Sequence, residues 1–361
     1  MIKNLPSATK TNINDWQFED LVLKDVLAST LCQTTIKPSA NQIIIIDGHI
    51  AHNLVPDNLL VTVEDASIAI PVDNKLIQLN KDKKNSSIKI TAPKNTIIKA
   101  PVSVVVVAKE RSLVHQIEIN LETGAELSLV ESYLGIGNFN ANITSKCRVG
   151  ASANLTINTI SNLHEGSVVY HHKQSEVAAD GVCNVTNFII NDANMVFEDF
   201  TSLNGRGAQA LVKTVSIASG NQKQNITVHV ENIAENTQGN IINYGIVKDE
   251  AHLAFNGVGK IKKAAKVSDN QQETRILNLS KTAQAIANPF LLIDEGDITA
   301  GHAASIGQLD EEQLYYLMSR GLSRLEASKL VVLGFLMPFV DSLEESELKA
   351  TLAKKIEKKL L

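Results

Sequence analysis

From about residue 88 to residue 295 the chain is a succession of short stretches in which apolar and polar residues alternate, punctuated by Gly, Asn or Asp. Ile117, Ile119 and Leu121 alternate before Gly124, and Ala125, Leu127 and Leu129 follow it. Ala141, Ile143, Ser145, Cys147 and Val149 lead to Gly150, then to Ala153, Leu155 and Ile157. Later sets read Val182, Asn184, Thr186, Phe188 and Ile190, and Ile226, Val228 and Val230. A period of two puts one face of each strand inward. The inward positions are small or β-branched, and aromatic residues make up only 4% of the chain. A two-sheet sandwich fills its core with larger side chains. A narrow coil of stacked strands covers each turn with the next and needs few of them. Abundant Asn suits both tight corners with φ > 0 and stacked side-chain ladders. The pattern favours a parallel β-helix over a sandwich, without a crisp repeat motif to mark it.

A chain of 361 residues has room for flanking units on such a core. Residues 1–87 read as a mixed α/β segment. It holds a helix from about Glu19, a strand–turn–strand at "NQIIIIDGHI" turning on Asp47-Gly48, and short strands around 59–63, 66–70 and 76–79. The charged break "NKDKKNSS" (80–87) marks the boundary with the β-helix, 88–305. From 306 to 361 the pattern is helical. Capping boxes at Asp310–Gln313 and Ser323–Glu326 open two helices, with Gly321 between them. The second, "EASKLVVLGFLM", is apolar almost all round before Pro338 and so needs burial on more than one side. Asp341-Ser342-Leu343-Glu344 caps a third helix. It carries Leu348, Leu352, Ile356 and Leu360 at steps of four, acids at its start and lysines at its end, as the helix dipole favours. These helices are expected to pack on the end of the β-helix and on a partner.

The formal charge of −5 gives no electrostatic case for nucleic acid or an anionic membrane. "MIKNLPSATK" has no apolar secretory core, and the longest apolar run, Leu330 to Val340, falls short of the ~20 residues that span a bilayer. A cytoplasmic protein is expected. Cys32, Cys147 and Cys183 form no CxxC pair, and their odd number argues against a disulfide framework.

Most chemical motifs are absent. "FNGVGKIKK" (255–263) contains Gly-Lys, but Ala254 and Ile261 stand where a P-loop needs Gly and Ser or Thr. His171 and His172 are adjacent, so in a strand they point to opposite faces. His49 and His52 flank a turn and are expected in solvent. Cys147 is in phase with an apolar set and reads as a small core residue; Cys183 is out of phase with Val182, Asn184 and Thr186. The run Asp294-Glu295-Gly296-Asp297 reads as a turn with solvated carboxylates or, more sharply, as a hard-oxygen neighbourhood for iron. His302 stands out because Ala300, Gly301, Ala303, Ala304 and Ser305 crowd round it at the joint between the two patterns. Small residues admit another backbone, which suits an interface, and a lone imidazole needs further donors from elsewhere to hold iron.

"GHAASIGQLDEEQLYYLMSRGL" resembles the C-terminal signature of the SufB/SufD family of iron–sulfur cluster assembly proteins, on its SufD side. The stretch from "FNGVGKIKK" to "NPFLLIDEGDI" and the early "NDWQF" are similar to further family motifs. The resemblance implies a right-handed parallel β-helix with N-terminal α/β and C-terminal helical flanks. It implies a non-enzymatic scaffold that pairs with SufB through the β-helices and docks the SufC ATPase through 306–361. A homodimer is the alternative when the chain is isolated. A transient iron–sulfur cluster shared with SufB would then form at the seam, none being tightly bound by this chain alone. The family's signature histidine falls on His302. Many members carry Cys two residues before it, where this chain has Ala300, so this strand offers no thiolate. Alternatives are a SufB-type subunit, a carbohydrate-active β-helix enzyme and a purely structural protein. The enzyme would need a groove of carboxylates and basic residues that the sequence does not display.

Overall fold

The computed structural model describes residues 38–62, 75–108, 112–135, 140–163, 167–343 and 346–360. The chain begins with β1 (Gln42–Ile46), β2 (His49–Leu54), β3 (Leu60–Thr62), α1 (Lys75–Lys83) and β4 (Ser86–Ala92). Next come β5 (Val102–Ala108), β6 (Leu113–Leu121), β7 (Glu126–Gly135), β8 (Asn140–Val149), β9 (Asn154–Asn162) and β10 (Val168–Val177). The middle holds β11 (Val182–Ile189), β12 (Asn194–Leu203), β13 (Gln209–Ala218), β14 (Lys223–Asn232), β15 (Gln238–Val247) and β16 (His252–Ile261). It closes with β17 (Ser268–Asn278), β18 (Gln284–Ile293), β19 (Ile298–Gly307), α2 (Glu311–Ser319), α3 (Arg324–Asp341) and α4 (Ser346–Leu360).

From β4 on, successive strands alternate between two sheets. The odd-numbered strands build a ten-stranded sheet that also takes in β1 and β2; the even-numbered ones build a nine-stranded sheet that begins with β3. All pairings from β4 to β19 are parallel, so the chain winds a parallel β-solenoid of about seven turns. The corners are made as the Asn, Gly and Asp punctuation predicts. Gly124, Ser152, Asp180, Gly207 and Asn236 all have positive φ. Each gives its N–H to a carbonyl of the following turn, for example Ser152 N to Ala179 O at 2.8 Å and Asn236 N to Lys266 O at 2.9 Å. Short polar side chains and glycine tolerate this left-handed geometry best. At the first hairpin Asp47 and Gly48 both have positive φ (47° and 88°), the two-residue turn that matches strand twist. A Cβ on Gly48 would lie 2.2 Å from Asn85 O, so only glycine fits there.

The inward faces of both sheets meet in one long aliphatic cluster that includes Ile117, Ile119, Ile143, Cys147, Leu155, Ile157, Val228 and Val230. In β11 the inward set is Cys183, Val185 and Ile189, not Val182, Asn184 and Thr186. The phase is opposite to expectation because Phe188 and Ile190 face outward beneath the C-terminal helices, so the strand is apolar on both sides.

Those helices do not sit on the solenoid's end. Val332, Leu336, Phe339 and Val340 of α3 and Leu352, Ile356 and Leu360 of α4 pack on the outer face of the odd-numbered sheet, against Val130, Ile160, Phe188, Val215 and Ile246. The Tyr244 ring lies 4.7 Å from Phe335 and 4.6 Å from Phe339. Lys359 locks the last turn of α4 to the β11–β12 corner, bonding Asn191 O, Asp192 Oδ1 (2.9 Å) and Gln222 Oε1 (3.0 Å). Asp310 caps α2, and the Ser323–Glu326 box is reciprocal. Asp341 is the last residue of α3 rather than a cap, because α3 runs through Pro338. An interior proline, through its lost backbone bond and ring clash, costs about 3 kcal/mol or more; burial of Phe339 and Val340 just beyond it works in the other direction. Residues 76–79 are helical, not a strand: Leu76 and Ile77 of α1 pack on Tyr170 and Val196, and Asn80 donates to the carbonyls of His115 and Asn142. The expected helix from Glu19, the strand 66–70, the motif "NDWQF" and Cys32 lie outside the described residues.

Candidate functional site

His302 lies on β19, the last strand of the ten-stranded sheet, which has β17 on one side and, among the described residues, no further strand on the other. Parallel register carries a column inward through Leu129, Ile157, Val185, Val212, Ile241 and Gln272 to His302. The first five are aliphatic and fully buried. The sixth is an amide whose Nε2 donates to Phe290 O at 2.8 Å, and the seventh is the imidazole. The column thus turns polar as it reaches the solenoid's open end. His302 is exposed there although its side of the strand is the core side, because no turn follows to cover it.

"FNGVGKIKK" makes room for this change. Gly257 and Gly259 of β16 sit opposite β17 inside the coil. A Cβ on Gly257 would come within 2.7 Å of Gln272 Oε1, and one on Gly259 within 2.2 Å of Asn270 Oδ1. The glycines that fail as a phosphate loop are spacers for two buried amides. Pro289, which lacks an amide hydrogen, is tolerated on β18 because that strand ends the other sheet. The open end is apolar at its rim: Ile286, Leu292, Ile293 and Ile306 are 44, 40, 39 and 47% exposed.

Of the acidic run, Glu295 is a turn cap. Its carboxylate accepts from Ala264 N and Gly296 N, each at 2.9 Å, and these backbone bonds hold it below the usual range. Among the described residues no three His, Cys, Asp or Glu side chains converge as a metal site. Among the described residues His302 thus has no second metal-ligating side chain grouped with it into such a site.

The other singled-out residues lie elsewhere. Cys147 and Cys183 are buried inside the coil, and burial pushes the Cys183 thiol up to about 12, which makes both poor ligands. His171 points inward, 3.2 Å from Ser145 Oγ, and His172 outward, 3.1 Å from Glu198 Oε2. His49 is exposed, and His52 lies 3.2 Å from Ser39 O. None of them approaches His302 in register. A group not singled out is a buried ion pair: Lys173 Nζ lies 3.3 Å from Glu131 Oε2 and 2.6 Å from Thr159 Oγ1. Burial alone would lower the lysine, but the Glu131 and Asp199 carboxyls outweigh it and hold it above its ordinary value. The signal was present, since Lys173 is in phase with the inward Val169 and Val177.

On the outside, α2 has only Leu314 buried. Tyr315 and Tyr316 are 75 and 57% exposed, and Leu325 and Leu330 of α3 are exposed as well. Glu311 holds the two helices together by accepting from both terminal nitrogens of Arg324 at 2.9 and 2.6 Å.

A family model described as SUF system FeS cluster assembly, SufBD core domain, matches residues 104–335. The chain belongs to the SufB/SufD family. The match spans the solenoid from β5 through α2 and into α3, including β19 and His302. An iron–sulfur cluster assembly protein SufD of Bacillus subtilis is 36% identical over 294 residues, 80% of this chain and 67% of that protein. The SufD of Escherichia coli is 22% identical over 67% of the chain and 58% of its own length. The SufB of Bacillus subtilis is 31% identical over 39% of the chain and 30% of its own length. This family member is most like SufD, and it is a subunit of Suf iron–sulfur assembly. Among the described residues no helix is long and apolar enough to cross a membrane.

Proposed function

We propose that this chain is a non-enzymatic scaffold that meets a SufB-type sister subunit at its open end and lends His302 to a nascent iron–sulfur cluster at that seam. The observation that carries the reading is the position of His302: the core-facing residue of a last strand, exposed only because no turn follows. An apolar rim with free strand edges is the surface a second solenoid would cover. The cluster is cargo, assembled between subunits and passed on, so one imidazole from this side suffices when the partner brings the other ligands. Residues 306–361 are the handle for the SufC ATPase, and the exposed Tyr315, Tyr316 and Leu325 are its contact surface. ATP-driven motion reaches the seam through α3 and α4, which are packed on the odd-numbered sheet.

The test is co-expression with SufB- and SufC-type partners and anaerobic purification. His302→Ala should leave the complex assembled and lower the visible absorbance of the loaded cluster severalfold; normal loading would refute the ligand role. Deleting 306–361 would uncover Phe188 and Val215, so Tyr315→Ala with Tyr316→Ala is the cleaner probe of ATPase docking. Unchanged capture of the ATPase by that variant would refute the handle.

A further inference from the structure

Aligning the strands by register brings out a second column inside the coil. Glu131, Thr159, Asn187, Thr214, Asn243 and Thr274 follow one another rung by rung from β7 to β17. All six are buried and all point inward. Across the lumen stand Lys173 and its register partner Asp199, with Thr201 beside them. The groups only partly satisfy one another. Thr159 and Lys173 share Glu131 Oε2, Asn187 Nδ2 donates to Asp199 Oδ2 at 3.0 Å, and Asn243 Nδ2 to Thr274 Oγ1 at 3.3 Å. Glu131 Oε1, Asn187 Oδ1, Asp199 Oδ1, Thr201 Oγ1, Thr214 Oγ1 and Asn243 Oδ1 have no hydrogen-bond partner among the described residues. A buried polar atom without a partner costs about 1–3 kcal/mol, so four along the column and two facing them across the lumen call for a ligand.

We propose that the lumen binds a file of water molecules between this column and Lys173, Asp199 and Thr201, running toward the open end beside His302. The chemistry selects water. The unpartnered atoms are carboxyl and amide oxygens and hydroxyls, so the ligand must donate at least two hydrogen bonds. Lys173 is paired with Glu131, and among the described residues no three metal ligands converge, so neutral water fits the lumen better than an ion. Rungs of a sheet are about 4.8 Å apart, a gap one water closes with two bonds of about 2.8 Å. Asp199 Oδ1, left open while Asn187 Nδ2 bonds Oδ2, is a further acceptor for such a chain. The last rung, Thr274, adjoins Ala304, two residues from His302 on the same face, which brings the file to solvent at the proposed seam. The inference does not depend on a cluster forming there.

Oxygen-17 relaxation dispersion on the full chain counts waters held longer than bulk exchange allows. Wild type should show several; Thr214→Val should lose at least one and Asn187→Leu more. Equal counts in folded wild type and variants would overturn the proposal. If the variants do not fold, X-ray radiolysis of the wild type decides, because water bound in place oxidises its neighbours. Phe197 in the lumen and Phe188 under the tail are both fully buried. Oxidation of Phe197 severalfold faster than Phe188 supports the file, and equal rates mean a dry lumen.

Discussion

β8 and β19 are strands of equal length in the same solenoid, yet they have opposite fates. Nearly every residue of β8 is buried, whereas most of β19 is exposed, including Ile306, which stands on its core side. The difference is not in the backbone, which is parallel and in register in both. It lies in what comes next: an interior strand has a turn stacked on each side, and the last strand has one. In a solenoid a residue is buried by its neighbouring turn as much as by its own face, so a last turn built like an inner one is an unfinished surface.

Acid should break this comparison most strongly, because it attacks the buried imidazoles of the inner turns. Burial lowers His115 to about 3 and His229 to about 4, and lowers His171 as well. Each is neutral when folded but takes up a proton below about 6.5 when unfolded. Stability is therefore full above pH 6.5 and falls as pH drops toward 4, by about 1.4 kcal/mol per unit for each imidazole. Urea titrations at pH 7 and pH 5 should show the midpoint collapse; equal midpoints would contradict the buried neutral state. Next in size is Lys173→Met, which strands the Glu131 carboxylate and should cost about 3–5 kcal/mol, with most of the loss recovered by adding Glu131→Leu. The aliphatic pair sharpens the contrast. Ile157→Val should cost about 0.5–1.5 kcal/mol, and Ile306→Val less than about 0.5 in the isolated chain. Smallest of all, His302→Ala should leave the melting temperature of the isolated chain unchanged while reducing cluster loading in the complex.

The repetitive parts of this fold were legible because their cause is local. Positive-φ corners need Asn, Asp, Ser or Gly, and inward positions need apolar residues every second place. Legibility failed where a third layer intervened. Phe188 and Ile190 look like core residues because α3 and α4 cover them, and this inverted the phase read for β11. Leu76, Ile77 and Leu79 make a run too short to tell a strand from a helix lying on a sheet. The place of His302 at the joint was visible in its small neighbours, but its exposure depends on β19 being the last strand, which only the topology shows. The Glu131–Lys173 pair joins residues 42 positions apart, and the rungs of the polar column are some thirty apart, so both emerge only once the register is known. The spacer role of Gly257 and Gly259 is invisible in the sequence, because their partners Gln272 and Asn270 lie on the next turn.

The two ends of the coil are finished differently. At the first, β2 and β3 run antiparallel to the strands they border; at the last, β18 and β19 are left as parallel edges. A stack with matching ends could add copies head to tail and grow into a fibre. Here the trailing edge meets its own kind only in another trailing edge, and a join of that sort closes at two. The antiparallel hairpin at Asp47-Gly48 thus offers a parallel trailing edge no matching strand to extend, which works against head-to-tail growth.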